Sequence, residues 1–206
     1  TWSTLSQFGK TEGLQSGMIS VLHTWGQNLS LHPHLHCIVP GGGVDKNGVW
    51  QNIRSDGNFL FPVKALSKIF SAKFCEKLKE KEPIKYEQIR QGLWQKPWVV
   101  FAKKPFGSPK SVVEYLGRYT HKIAISSHRI KNVDAQNVTF DYKDYRQEGL
   151  KKQMTLTHQE FIRRFSLHIL PKGFVKIRHY GFLSSTWKRQ KLKLLQLKLK
   201  VKVLGN

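Results

Sequence analysis

The stretch Leu31-His32-Pro33-His34-Leu35-His36-Cys37-Ile38-Val39-Pro40 runs straight into Gly41-Gly42-Gly43, and no other segment restricts the fold so tightly. It is short, apolar after its histidines, and stopped by a proline and three glycines. That pattern predicts a buried strand rather than a helix. Side chains alternate across a strand, so His34 and His36 leave one face about 7 Å apart along the backbone. Two imidazoles so placed can share a divalent ion, or can be ordinary core histidines. Ahead of them, Gly17–Trp25 has the β-branched and aromatic content of a strand. The link from Gly26 to Pro33 permits an antiparallel return, which in a suitable register aims His23 at the same point as His34 and His36.

The remaining elements alternate irregularly. Residues 1–16 are polar and glycine-dotted and read as the middle of something longer. Asp45-Lys46-Asn47-Gly48 is a hairpin turn within a strand pair spanning about 41–61. A helix is expected from Val63 to Lys81 after Pro62, with Cys75 as a small core residue and Glu82-Pro83 as its stop. Trp98–Ala102 reads as a buried strand. Ser108 caps a helix from Pro109 to Thr120. Ile123–Ser126 is a short strand, and Val138–Tyr142 forms a hairpin with Gln153–Thr157. Thr157 caps a further helix carrying Phe161, Phe165, Leu167, Ile169 and Leu170. Phe174–Arg178 is a strand, and the leucine–lysine tail from Trp187 to Val203 is helical. The fold class is therefore α+β, a mainly antiparallel central sheet flanked by helices. We expect one domain over residues 1–186 and a basic helical tail over 187–206.

Charge narrows the partners. The chain has 35 Lys+Arg against 13 Asp+Glu, a formal net charge of +22. Such a surface sits against polyanions, with nucleic acid first; a ribosomal-type protein or a membrane-surface binder has the same signature. With 39% hydrophobic residues the chain can bury a core. No run of about 18 apolar residues and no signal-peptide pattern occur, so no membrane span is expected. Cys37 and Cys75 have no metal-type spacing, which argues for a reducing interior without a disulfide framework.

A second chemical signal is Glu114-Tyr115-Leu116-Gly117-Arg118-Tyr119-Thr120-His121-Lys122. Tyr115 and Tyr119 stand four apart, which puts both hydroxyls on one helical face, and Lys122 joins that face. A tyrosine whose phenolate is stabilised by cations can attack phosphorus. The same pair can also simply pack along an amphipathic helix edge.

The histidine strand, the paired tyrosines and the basic composition together resemble the HUH endonuclease superfamily. LHTWGQNLSLHPHLHCIVPGGG, EYLGRYTHKIAIS and EFIRRFSLHILPKGFVKIRHYGFL further resemble the two-tyrosine rolling-circle transposases of the insertion-sequence-ninety-one group. That resemblance covers about residues 1–186 and implies an HUH fold with an RRM- or ferredoxin-related core. It implies that His34 and His36 hold Mg²⁺ or Mn²⁺, that His23 is the third ligand, and that Tyr115 and Tyr119 are the nucleophiles. Lys122 and Arg118 would stabilise phenolate or phosphate. The implied activity is nicking of single-stranded or extruded DNA at element ends, through a 5′-phosphotyrosine link, followed by strand transfer. An N-terminal zinc module, usual in such proteins, is absent from this sequence. A bacterial cytoplasmic, nucleoid-associated location is implied. The alternative reading is a catalytically silent DNA-binding derivative of such an element. Lys103, Lys104, Lys110, Arg163, Arg164, Lys176 and Arg178 are candidate contacts to the DNA backbone. Trp25, Trp50, Trp94 and Trp98 are candidate stacking platforms or core residues.

Overall fold

A computed structural model describes residues 1–53, 60–120 and 124–200 of the chain, 118–120 in backbone alone. In chain order the elements begin with α1 (Trp2–Thr11), β1 (Gly17–Trp25), β2 (Leu31–Ile38), β3 (Gly42–Val44), β4 (Trp50–Asn52), α2 (Val63–Lys81) and α3 (Pro83–Trp94). They continue through α4 (Pro109–Thr120), β5 (Ile130–Val133), β6 (Asn137–Asp144), β7 (Leu150–Thr157), α5 (His158–Ser166) and β8 (Ile177–Gly181). The tail holds α6 (Ser185–Trp187), a π-helical turn over Lys188–Leu192 and α7 (Lys193–Lys198). This is the expected α+β fold, with antiparallel sheets and flanking helices.

Three strands form a sheet in the order β2-β1-β8. β1 is its centre, and its residues are buried or half-buried throughout, Met18 and Val21 almost wholly. β2 lies at the edge, and Leu31 and Leu35 are exposed. The expected buried strand is therefore a partly exposed edge strand among the described residues, and Pro33 supplies the reason. Proline has no N–H to give a ladder, so within a sheet it is confined to edges.

The chain divides into two units. One comprises residues 1–19, 38–107 and 179–206. In it, β3 and β4 pair antiparallel from Gly42↔Asn52 to Val44↔Trp50, around the expected turn at Asp45–Gly48. The turn is locked by Asp45, whose carboxylate accepts from the Asn47 and Val49 amides at 2.9 Å each. Val44, Phe182 and Leu195 form a core with Trp50 and Trp187 packed on it. α2 has the expected bounds and Cys75 is buried.

The other unit comprises residues 20–37 and 108–178. Its sheet, β5-β6-β7, is a continuous antiparallel meander; β6 and β7 stay in register from Asn137↔Thr157 to Asp144↔Leu150. One face carries Phe140, wholly buried with Leu29 and Ala124, and Phe161 and Phe165 of α5 close over it. Leu29 takes a left-handed conformation (φ 62°) in the β1–β2 turn, a strain offset by full burial of its side chain. Thr157 caps α5 by accepting from the Glu160 amide at 3.3 Å.

Several expectations fail, each for lack of a neighbour or a boundary signal. Trp98–Ala102 is not a strand: Val99 is 92% and Phe101 80% exposed, because no strand among the described residues pairs with the segment. Ala124–Ser126 is a bend rather than a strand, since Ala124 is drawn into the Phe140 core; Ile123 lies outside the described residues. The strand expected at Phe174–Arg178 forms at Ile177–Gly181, and α5 stops at Ser166, short of Leu167–Leu170. Residues 2–11 are helical although no start signal precedes them. Pro83 does end α2, yet it also opens α3 at its first turn, where a missing N–H is harmless.

Candidate active site

The site lies within the second unit and grows from the β1–β2 pair. Alternation on β2 brings His34 and His36 to one side, both half-buried, and the Gly26–Ser30 turn returns the chain so that β1 presents His23 to them. His34 Nε2 lies 3.2 Å from His23 Nδ1 and 3.1 Å from His36 Nε2. The ligand-capable atoms of all three rings fall within 4.8 Å of one another. A cation about 2.1 Å from each nitrogen sets neighbouring nitrogens about 3.0 to 3.4 Å apart, depending on coordination geometry, and both pairs that His34 makes have that spacing.

The tautomers agree. His34 Nδ1 donates to the carbonyl of His32 at 2.7 Å, which leaves Nε2 with a lone pair aimed at the other two rings. One lone pair facing two ring nitrogens matches a common cation better than a chain of hydrogen bonds. A backbone carbonyl on the far nitrogen is also the usual way to fix a metal-ligating imidazole. His23 is held neutral: burial first, then the neighbouring His34, His36 and Lys176, push its pKa down to about 3. Neutral imidazole is the form that ligates.

Helix α4 supplies the next group. Ser108 caps it, accepting from the Ser111 amide at 3.2 Å, and Tyr115 projects from its second turn. The Tyr115 hydroxyl lies 2.8 Å from His36 Nδ1. The two signals read separately in the sequence, a histidine strand and a tyrosine helix, thus meet at one hydrogen bond. Tyr119 follows one turn later on α4; its side chain and that of Arg118 fall outside the described residues, as does Lys122 altogether.

The predicted backbone contacts scatter. Lys103 and Lys104 are exposed on the extended segment after α3, in the first unit. Lys110 is exposed on α4, and Arg178 is exposed on β8. Arg163 and Arg164 are engaged by Glu160 at 2.6 and 2.7 Å, and Arg164 also donates to the carbonyl of Asn28 at 3.3 Å. Lys176 lies near the triad, its ammonium 5.1 Å from the Trp25 ring centroid. Trp25 itself sits against His23, ring centroids 3.9 Å apart. Trp50 packs on Phe182, and Trp98 on Phe70 and Phe74. Trp94 is 57% exposed.

Sequence reasoning passed over His168. It is buried; its Nε2 donates to the carbonyl of Leu29 at 3.1 Å, and its Nδ1 accepts from the Thr24 hydroxyl at 3.4 Å. It thereby ties the residue after His23 to the turn that delivers β2. Nothing local in the sequence distinguishes this histidine; among the described histidines its burial does.

Comparison with known proteins bears on the same residues. Positions 17–191 match the transposase family described as "Putative transposase" (Y2_Tnp), a span that contains every histidine and tyrosine of the site. The chain is 42% identical to "Putative transposase y4qJ" of Sinorhizobium fredii, over 93% of this chain and 52% of that protein. It is 28% identical to "Transposase for insertion sequence element IS801" of Pseudomonas savastanoi pv. phaseolicola, over 85% of this chain and 45% of that one. The chain thus spans about half the length of these curated relatives. No solved structure matches it. Among the described residues no helix is long and apolar enough to cross a membrane. On the strength of the family match over most of its length, the chain belongs to the Y2 (two-tyrosine) transposases.

Proposed function

We propose that the chain carries the DNA-cutting and strand-transferring chemistry of such a transposase, with Tyr115 as the attacking nucleophile and single-stranded or extruded DNA as substrate. The observation that carries this reading is the 2.8 Å approach of the Tyr115 hydroxyl to His36, itself a member of the imidazole triad. His23, His34 and His36 would hold one divalent ion, Mg²⁺ or Mn²⁺, which when bound supplies Lewis-acid polarisation of the scissile phosphate. An all-imidazole donor set suits a transition-metal ion better than Mg²⁺, which prefers oxygen ligands and gives up water reluctantly.

Within the chain the division of labour follows from the tautomers. With Nε2 of His36 turned to the triad, its Nδ1 carries the proton and donates to the Tyr115 oxygen, orienting the nucleophile and favouring phenolate character. Attack forms the tyrosine O–P bond and breaks the bond from phosphorus to the 3′-oxygen, leaving a 5′-phosphotyrosine and a free 3′-hydroxyl. Tyr119, one helical turn on, is the second acceptor, and Lys122 and Arg118 stabilise developing charge. A second phosphotyrosine lets strand transfer proceed without added energy, because bond energy is conserved in each exchange.

The test is a labelled single-stranded oligonucleotide carrying candidate element ends, incubated with protein and Mn²⁺ and resolved on a denaturing gel. A chelator-sensitive protein–DNA adduct is expected, lost to background in Tyr115→Phe. Unchanged adduct in the Tyr115→Phe/Tyr119→Phe double variant would sink the nucleophile assignment. DNA binding with no adduct at all would instead support a silent binder.

A further inference from the structure

The second unit contains a cleft of about 530 Å³ that starts at His23 and Trp25 and is walled by the end of β6 and the start of β7. Register explains why it exists. β5 begins at Ile130, opposite Phe140, while β6 continues to Asp144 against β7 alone. Beyond Phe140 one edge of β6 has no neighbouring strand among the described residues. Arg129 occupies part of that edge, its Nε donating to the carbonyl of Asp141 at 2.8 Å and its terminal nitrogen to the carbonyl of Gln27. The rest is open, and its size falls within the range of about 300–1,000 Å³ typical of small-ligand sites.

Aromatic and basic side chains line the opening, together with the Asp141 carboxylate and His128. Trp25, Tyr142 and Tyr145 are its aromatic lining, and Tyr145 leaves 71% of its surface exposed. Lys143 and Lys151 also line it, and they are direct cross-strand partners between β6 and β7. Like charges placed directly opposite on a sheet destabilise it. Of the neighbouring carboxylates, Asp144 pairs with Lys152 at 2.9 Å, and Asp141 pairs with Lys131 at 3.3 Å while also offsetting part of the Lys151 charge. An anion between the two lysines would offset their repulsion, and a flat ring would occupy the aromatic wall. Both features belong to a nucleotide.

We propose that this cleft binds the nucleotide adjacent to the scissile phosphate, its base against the aromatic wall and its phosphate between Lys143 and Lys151, and that it sets the sequence preferred at the cut. The assignment rests on the nuclease reading, through His23. That imidazole belongs both to the triad and to the cleft lining, so a phosphate at the triad directs its neighbouring nucleotide here. None of the basic residues anticipated from the sequence as binding the DNA backbone lines this cleft.

The full chain, held in chelator, would be mixed with a randomised single-stranded oligonucleotide pool containing 5-iodouracil, irradiated, and mapped by mass spectrometry. Affinity for the same pool would be followed by anisotropy across salt concentrations. Cross-links at Trp25, Tyr142 or Tyr145 are expected. Tyr145→Ala should weaken binding between about fivefold and a hundredfold while Tyr145→Phe retains it. Lys143→Ala/Lys151→Ala should reduce the salt slope by about 0.7, the value for the one phosphate no longer neutralised. Cross-links confined to other surfaces, or wild-type affinity and slope in these variants, would overturn the proposal. The adduct assay separates the two readings. An adduct with cross-links elsewhere removes the cleft and keeps the nuclease; cleft cross-links without an adduct do the reverse.

Discussion

At the scale of single residues the site depends on protons as much as on positions. His23 has a folded pKa of about 3 against an ordinary 6.5. Below pH 6.5 the unfolded chain takes up a proton there that the folded chain refuses, so stability falls with falling pH over the window from 6.5 to about 3. We expect the melting temperature of the metal-free protein to drop across that window, and His23→Gln to flatten part of the drop in a thermal-melt series. Mn²⁺ added at about pH 7 should raise the melting temperature, and His34→Ala or His36→Ala should abolish that rise. His36→Ala should also abolish nicking while sparing much of the salt-sensitive DNA binding; equal loss of both would mark His36 as a folding residue. The imidazole spacing was legible in part, since H-x-H on a strand shares a face by geometry alone. The participation of His23 was legible only as a possibility, because the register of β1 against β2 depends on the turn between them.

At the scale of elements, the site is held from behind by His168 and α5. Replacing His168 by Leu removes the donor to the Leu29 carbonyl and leaves a buried acceptor unpaired, at a cost of about 1–3 kcal/mol. A urea titration should show that loss, together with weaker Mn²⁺ stabilisation, because the β1–β2 turn loses its tie. Thr157→Ala removes the cap of α5 and should cost about 1 kcal/mol in the same titration, with little change in Mn²⁺ stabilisation. Elements with their own punctuation stand where the sequence predicts them: α2 behind Pro62, α4 behind Ser108-Pro109, and α5 behind Thr157. Of those defined only by apolar content, Gly17–Trp25 stands and others do not. Trp98–Ala102 has the composition of a core strand and is largely solvent-exposed, since composition does not say whether a partner strand exists.

For the molecule as a whole, the formal charge of +22 would, under the proposed function, dominate encounter with DNA. Binding of single-stranded DNA should weaken linearly on a log–log salt scale, by about 0.7 for each phosphate neutralised. Not every basic residue contributes. Arg163 and Arg164 are occupied by Glu160, so Arg163→Ala should move the slope less than Lys143→Ala does. Anisotropy at several salt concentrations would decide this, and an equal effect would refute the ranking.

Residue order alone determined the α+β class, the pairing of His34 with His36, the spacing of Tyr115 and Tyr119, and the expectation of a polyanionic partner. These depend on periodicities of about two and 3.6 residues and on summed charge, which are local or additive quantities. Tertiary structure decided the rest: that β2 is an edge strand, that His168 is buried behind the turn, that Glu160 engages two arginines, and that Tyr115 meets His36 across 79 positions of chain. Apart from the Glu160 cluster, each of those joins residues far apart in sequence, and no local preference encodes which distant segments will meet. The Glu160 pairs lie within one helix, but which of several charged neighbours a carboxylate takes is settled only when the helix is packed.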